Sequence, residues 1–136
     1  MSKLHSLNYI ISILQPSVIT LQETKLRKTG RLNSKISKDY VIFELCRKES
    51  HGGGLATIVK KSLNPVFIAE GNDQEEILNI QIKINDLEIR ILNCYGPQEC
   101  SPLEKKNLFW SRLHTEVNNA IEAGVEVIIQ FDGNLH

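Results

Sequence analysis

The sequence lacks long hydrophobic runs, an excess of charge of either sign and a leader-like N-terminus. No apolar stretch approaches the roughly 20 residues that a membrane-spanning helix needs, and the first residues do not form the basic and then apolar regions of a signal peptide. Lys plus Arg and Asp plus Glu both number 16, so the formal net charge is zero. This balance argues against a generally basic nucleic-acid-binding protein but not against a local basic face. We therefore predict a soluble intracellular protein, nuclear or cytoplasmic, that does not bind membranes.

Cysteines are few and have no paired spacing. The three thiols, Cys46, Cys94 and Cys100, form no C-x-x-C motif. That pattern argues against a disulfide framework and against a zinc site built from cysteine pairs. We expect free thiols in a reducing compartment.

The length of 136 residues fits one domain, and a chain of this size buries roughly two-thirds of its unfolded surface. A hydrophobic content of 41% is far from a disordered composition. The sequence contains no internal repeat, low-complexity segment or linker. We therefore predict a single domain over residues 1–136.

Hydrophobic periodicity predicts two helices that flank a series of strands. Apolar residues recur at helical spacing from Leu4 to Leu14, which predicts an amphipathic helix with its apolar stripe inward. A second helix is predicted to begin with a capping box from Ser101 to Glu104 and to stop at Gly124. Strands are predicted at Val18–Gln22, Tyr40–Cys46, Leu55–Val59 and Pro65–Ala69, in a hairpin over Glu76–Tyr95 that turns at Asn85-Asp86, and in a final buried strand from Val125. This order predicts an α+β fold in which helices cover sheets.

Polar side chains stand where three of these strands end. Glu23 follows the first strand, Tyr95 ends the long hairpin, and Asp132 and Asn134 end the last strand two residues apart. A packed scaffold can hold such groups in fixed geometry toward a ligand. Position alone leaves the ordinary alternatives open: an exposed Glu, a Tyr that caps a sheet edge, and Asp and Asn that only make a turn.

A basic segment and a glycine-rich turn lie between the first and third strands. The segment Thr24–Lys38 carries six Lys and Arg residues, which suit either a phosphate-facing lip beside Glu23 or a solvated connection. Gly52–Gly54 allow a tight reversal, so we predict a hairpin there. This run lacks the Gly-Lys-Ser/Thr ending of a P-loop. His51 beside it is either close to a site or an ordinary surface residue.

In their order and spacing, these motifs resemble the endonuclease/exonuclease/phosphatase superfamily, which includes abasic-site endonucleases and the endonuclease domains of non-LTR retrotransposons. The segments that carry the resemblance are Leu21–Lys25, Gly52–Ala56, Asn93–Pro97 and Phe131–His136. The run Tyr95–Glu99 and the Asn-Leu-His ending are most similar to the retrotransposon branch. The resemblance spans nearly the whole chain and implies a partial four-layer α/β/β/α sandwich of the DNase I-like type.

The resemblance also implies a metal-dependent phosphodiesterase that hydrolyses DNA. Glu23 matches the family's ligand for Mg²⁺, with Mn²⁺ as the alternative, and a carboxylate suits such a hard cation. Tyr95 matches the tyrosine that approaches the scissile phosphate. Asp132 would position or deprotonate the attacking water, and Asn134 would orient Asp132. The expected substrate-binding residues are Lys25, Arg27 and His51.

The sequence departs from the family pattern at both ends. The family's first strand, with an Asn near the metal, and its later Asp and Asp-His pair have no counterpart, and His136 falls within the Asp-x-Asn segment. Phe131 stands where the family has Gly, and Gly133 replaces a larger residue. We therefore expect a domain truncated at both ends.

Such a domain would associate through an uncovered sheet surface or with a chain that supplies the missing half. Three alternatives stay open. The chain is an active DNA endonuclease, a catalytically inactive remnant with weak or no nucleic-acid binding, or a phosphatase or lipid phosphodiesterase of the same superfamily.

Overall fold

The computed structural model describes residues 3–30, 32 and 36–133. The described residues form two α-helices, seven strands and one short 3₁₀ turn. In chain order these are α1 (Lys3–Leu14), β1 (Val18–Gln22), β2 (Tyr40–Leu45), β3 (Leu55–Lys60), the 3₁₀ turn (Lys61–Leu63), β4 (Val66–Glu70), β5 (Ile77–Ile84), β6 (Leu87–Tyr95), α2 (Leu103–Glu122) and β7 (Glu126–Asp132). Neither helix in the described part of the chain is long and apolar enough to cross a membrane.

The strands form two sheets. The first has the order β1-β3-β2 and is antiparallel throughout, which confirms the hairpin predicted around the glycine run. The second has the order β4-β5-β6-β7. Its β5–β6 hairpin turns where predicted, with Asn85 at φ +54°. Because α2 crosses over between them, β6 and β7 are parallel, and Tyr95 is paired in register with Asp132.

Three hydrophobic clusters hold four layers together. The central cluster joins the two sheets, with Leu55 and Val59 of β3 packed near Leu78 and Ile80 of β5. A second cluster packs Phe109 and other residues of α2 on the second sheet, and a third packs Ile11 of α1 on the first sheet. The layers are therefore helix, sheet, sheet and helix. This architecture confirms the predicted α/β/β/α sandwich.

The structure changes part of the predicted detail of α2. Its buried face is formed by Phe109, Leu113, Glu116 and Ala120. The N-cap is Pro102 and no side chain caps the helix, so the predicted capping box is wrong. The C-terminal stop at Gly124 is confirmed, since that glycine has a φ of +72° and its N–H donates to the carbonyl of Ile121 at 3.0 Å.

Two predictions of burial are wrong. In α1 the apolar stripe does not all face inward, because Ile11 is buried whereas Ile10 and Leu14 are exposed. In β7, predicted as a buried strand, Ile128 and Ile129 are both 44% exposed. The reason is topological: within the described residues, β7 is the last strand of its sheet and pairs only with β6. An apolar run specifies a strand but not how many neighbours cover it.

Candidate functional site

Three of the predicted residues line one cavity of about 580 Å³, here called the site cavity. Glu23 follows β1 of the first sheet, and Tyr95 and Asp132 end β6 and β7 of the second. The rest of the wall is formed by Gly96, residues 97–100 and Gly133. The strand ends of two different sheets therefore present two carboxylates and a phenol to the same space.

Asn93, two residues before Tyr95 on β6, ties the two sheets together. Its side chain is fully buried. The Asn93 amide donates to the carbonyls of Leu21 (3.2 Å) and Ala56 (2.9 Å) and to Thr57 Oγ1 (3.2 Å). The Asn93 carbonyl oxygen accepts from Gln22 Nε2 at 2.8 Å. These bonds satisfy the buried polar groups and fix β6 against β1, the strand that leads to the site.

The turn at Glu23 is held by the glycine-rich hairpin. Glu23 has a φ of +54°, which is uncommon for a residue with a side chain. The N–H groups that follow it, of Thr24 and Lys25, donate to the carbonyls of Gly54 (3.2 Å) and Gly53 (2.8 Å). A Cβ on Gly54 would lie 2.5 Å from Thr24 Oγ1. Glycine is therefore favoured here by the nearby Thr24 hydroxyl as well as by its own φ of +93°.

A buried ion pair connects the same hairpin to Tyr95. Arg47 donates to both carboxylate oxygens of Glu76, from Nε at 3.0 Å and from Nη2 at 2.7 Å. The Gly54 N–H donates to the same carboxylate at 2.8 Å, and the Tyr95 N–H donates to the Glu76 carbonyl at 3.0 Å. The Arg47 guanidinium carbon lies 6.0 Å from the centroid of the Tyr95 ring. Sequence reasoning missed this pair, because its members are far apart along the chain and match no motif.

The Tyr95 phenol is held in its protonated form. Burial raises the pKa of Tyr95 above its ordinary value, and the nearby carboxylates of Glu23 and Asp132 raise it further. A hydrogen bond with Gln98 and the charge of Arg47 act in the opposite direction. Tyr95 therefore offers an O–H donor at neutral pH. Gln98, which carried no predicted role, is a neighbour of this phenol and lines the site cavity.

The donors around the cavity fit a hard divalent cation. Glu23 is half-exposed and makes a contact of 3.6 Å with Lys25. Within residues 3–30, 32 and 36–133, no three His, Cys, Asp or Glu side chains are grouped closely enough to hold a metal ion. Mg²⁺ does not need such a cage, because it keeps several waters and binds through one or two carboxylates together with substrate phosphates. A zinc site of three or more protein ligands does not match this donor set.

Comparison with solved structures identifies the fold. The catalytic domain of Xenopus laevis APE2 matches 93% of this chain with a TM-score of 0.70 and 21% identity. The AP endonuclease LMAP of Leishmania major matches 86% (TM-score 0.61, 19% identity), and the endonuclease domain of the telomere-specific non-LTR retrotransposon TRAS1 matches 96% (TM-score 0.62, 14% identity). The chain has the DNase I-like fold. This is the fold that the resemblance of the sequence motifs implied.

The similarity to these proteins is seen in the structure, and it covers only part of their chains. The chain spans 52%, 42% and 53% of the APE2, LMAP and TRAS1 chains, respectively. No protein-family model matches the sequence, and no curated protein shows significant similarity to it.

The remaining predicted site residues have different positions in the DNase I-like fold. Lys25 is paired with Glu23 and is exposed. The Arg27 guanidinium contacts the imidazole of His51, with Nη2 3.1 Å from Nε2. His51 lines a second cavity on the other side of Tyr95. Neither Lys25 nor Arg27 lines the site cavity, and Asn134 lies outside the described residues.

The two departures at the last motif are coupled in space. The tip of the Phe131 ring occupies the room that a side chain on Gly96 or Gly133 would need: an added Cβ would lie 2.6 Å and 2.8 Å, respectively, from Phe131 Cζ. The same ring packs on Phe109 and Trp110, with centroids 5.8 Å and 5.6 Å away. The large residue before Asp132 is therefore accommodated because glycine follows Asp132.

Proposed function

We propose that this chain carries the site of a metal-dependent phosphodiesterase of endonuclease type, which hydrolyses DNA phosphodiester bonds. The observation that carries the proposal is the convergence of Glu23, Tyr95 and Asp132 on one cavity from three strand ends in two sheets. The solved structures that share the fold include an AP endonuclease and a retrotransposon endonuclease domain, which supports DNA as the substrate.

The proposed roles follow from the chemistry of each group. Glu23 would hold Mg²⁺ or Mn²⁺, which when bound supplies charge neutralisation at the phosphoryl oxygens. Asp132 positions the attacking water and accepts its proton. Tyr95, held as a neutral phenol, donates its O–H to a phosphoryl oxygen. Asn134 orients Asp132, and this role rests on the Asp-x-Asn sequence pattern alone.

Substrate contacts outside the cavity are proposed for three basic side chains. Lys25 lies beside Glu23, and Arg27 and His51 form one exposed contact on the hairpin side of Tyr95. Cationic side chains at these places would contact backbone phosphates and set the register of the DNA strand without reading its sequence.

A second candidate is a catalytically inactive domain with weak or no nucleic-acid binding. One observation favours it: the whole chain has a formal net charge of zero. Both candidates share the fold and differ in whether the site cavity supports catalysis.

Plasmid nicking with Mg²⁺ separates the two. We expect the wild type to convert supercoiled plasmid to the open circular form, and Glu23→Gln to nick at least about 100-fold more slowly, because a carboxylate that acts on the transition state is lost. Glu88→Gln is the matched control, since it makes the same change on β6 near the β5–β6 turn. Circular dichroism establishes that all three proteins are folded. Equal rates for Glu23→Gln and the wild type, or no nicking by a folded wild type, would contradict the proposal.

A further inference from the structure

A smaller cavity of about 280 Å³ lies across Tyr95 from the site cavity and is here called the lateral cavity. Its basic wall residues are Arg47, His51 and Lys105, and its wall carboxylate is Glu76. It shares Tyr95 and Gln98 with the site cavity. Its volume is just below the range of roughly 300–1,000 Å³ that is typical of small-molecule sites. It therefore suits a small polar group better than a whole nucleoside.

The charge in the lateral cavity is positive once its ion pair is taken into account. The wall includes the carboxylate of Glu76, but that carboxylate is only 3% exposed as a residue and already accepts from Arg47 Nε, Arg47 Nη2 and the Gly54 N–H. Its negative charge is balanced by Arg47. The positive charge of Lys105 is left without a counterpart in the wall.

Lys105 is a half-buried lysine on the first turn of α2. Among the described residues it has neither an ion-pair partner nor a side-chain hydrogen bond. Its neighbour Lys106, by contrast, donates from Nζ to the Glu99 carbonyl at 2.6 Å. The Lys105 ammonium is thus a donor with three N–H groups, and Ser101 and Gln98 line the same cavity.

We infer that the lateral cavity binds a phosphate group of the DNA strand, next to the scissile phosphate, with Lys105 as its charged contact. The inference rests on the proposed function, because that function places the scissile phosphate at Tyr95. Successive phosphates of one strand are offset by about 3.4 Å along the helix axis. A single strand can therefore occupy both cavities, which share the wall formed by Tyr95 and Gln98.

The test is equilibrium binding of a fluorescent duplex in EDTA, so that no cleavage occurs, over a series of KCl concentrations. We expect Lys105→Gln to weaken binding several-fold and to reduce the slope of log affinity against log salt by about 1, as the loss of one phosphate contact requires. Lys105→Arg keeps the charge and should retain the slope. Lys83→Gln is the matched control, because it removes the same charge from an exposed position near the β5–β6 turn.

A neutral methylphosphonate, moved one position at a time along the strand, locates the contact. One position should weaken binding by the wild type and leave Lys105→Gln unaffected. A terminal phosphate at a nick has the same chemistry, so duplexes nicked with and without that group show whether the phosphate belongs to a continuous strand or to an end.

The inference is overturned if Lys105→Gln and Lys83→Gln have the same salt slope, or if a folded wild type binds none of these duplexes at low salt. The nicking assay keeps this failure distinct from failure of the proposed function. If nicking depends on Glu23 but Lys105 has no effect on binding, only the inference about the lateral cavity is overturned. Lys105-dependent binding without nicking would overturn only the catalytic proposal.

Discussion

Strands β6 and β7 run side by side in parallel and both end at the site cavity, but they are buried to very different degrees. On β6, Leu92 and Asn93 are fully buried, because β5 and β7 flank the strand and other layers cover both faces. Their register partners on β7 are Ile129 and Gln130, and both are exposed. Tyr95 therefore stands on a central strand, and Asp132 stands on a strand with one paired edge within the described residues.

Because of this difference in burial, Tyr95 and Asp132 are held in position by different interactions. Tyr95 is fixed by the hydrogen bonds of Glu76 and by the Asn93 network, so its position depends on interactions between the sheets. Asp132 is fixed by its own strand pairing and by the bond from the Gly96 N–H to its carbonyl at 2.8 Å. Substitutions on β6 should therefore affect the stability of the whole sandwich, whereas equivalent substitutions on β7 should affect it much less.

The largest expected effect comes from truncating one apolar side chain on each strand. We expect Leu92→Ala to lower the free energy of unfolding by about 2–5 kcal/mol, because it leaves a cavity at a fully buried position. Ile129→Ala, at the paired position on β7, should cost less than about 1 kcal/mol, because that side chain is 44% exposed. Urea unfolding followed by Trp110 fluorescence measures both. Equal losses would show that β7 is covered as fully as β6.

A smaller effect is expected from the polar pair one residue further along. Asn93→Ala removes the group that joins the sheets and leaves Gln22 without its acceptor, at an expected cost of about 2 kcal/mol. Gln130→Ala is the paired control on β7 and should change stability by less than about 0.5 kcal/mol. The same urea titration applies. A stable Asn93→Ala variant would mean that the hydrophobic cluster between the sheets is enough to hold them together.

Local features of this fold could be predicted from the sequence, and non-local ones could not. The β5–β6 turn at Asn85 and the end of α2 at Gly124 depend on residues within a few positions of each other, and both predictions are confirmed. The exposure of β7 was missed because an apolar run does not reveal its neighbours. The pair of Arg47 and Glu76 was missed because 29 residues separate its members.

The residues of the candidate site also divide into those with a local signal in the sequence and those without one. Glu23, Tyr95 and Asp132 were found as polar groups at strand ends, and their convergence depended on a family resemblance. Asn93 had a detectable signal, since it is a polar residue in a strand of inward-facing apolar positions, but its partners on β1 and β3 could not be read from the sequence. The sequence carried no signal for Lys105, because its lack of a partner depends on which residues the fold places around it.

The smallest expected effect concerns the contact of β7 with the residue that follows β6. Gly133→Ala places a Cβ 2.8 Å from Phe131 Cζ and 3.2 Å from the Cα of Gly96, so we expect a loss of about 1–2 kcal/mol from overpacking. In a Phe131→Leu background the ring tip is absent, and Gly133→Ala should cost less. A double-mutant cycle in urea should therefore give a coupling energy of at least about 0.5 kcal/mol between the two positions. Additive losses would mean that Phe131 and Gly133 are independent, so that a large residue before Asp132 does not require glycine after it.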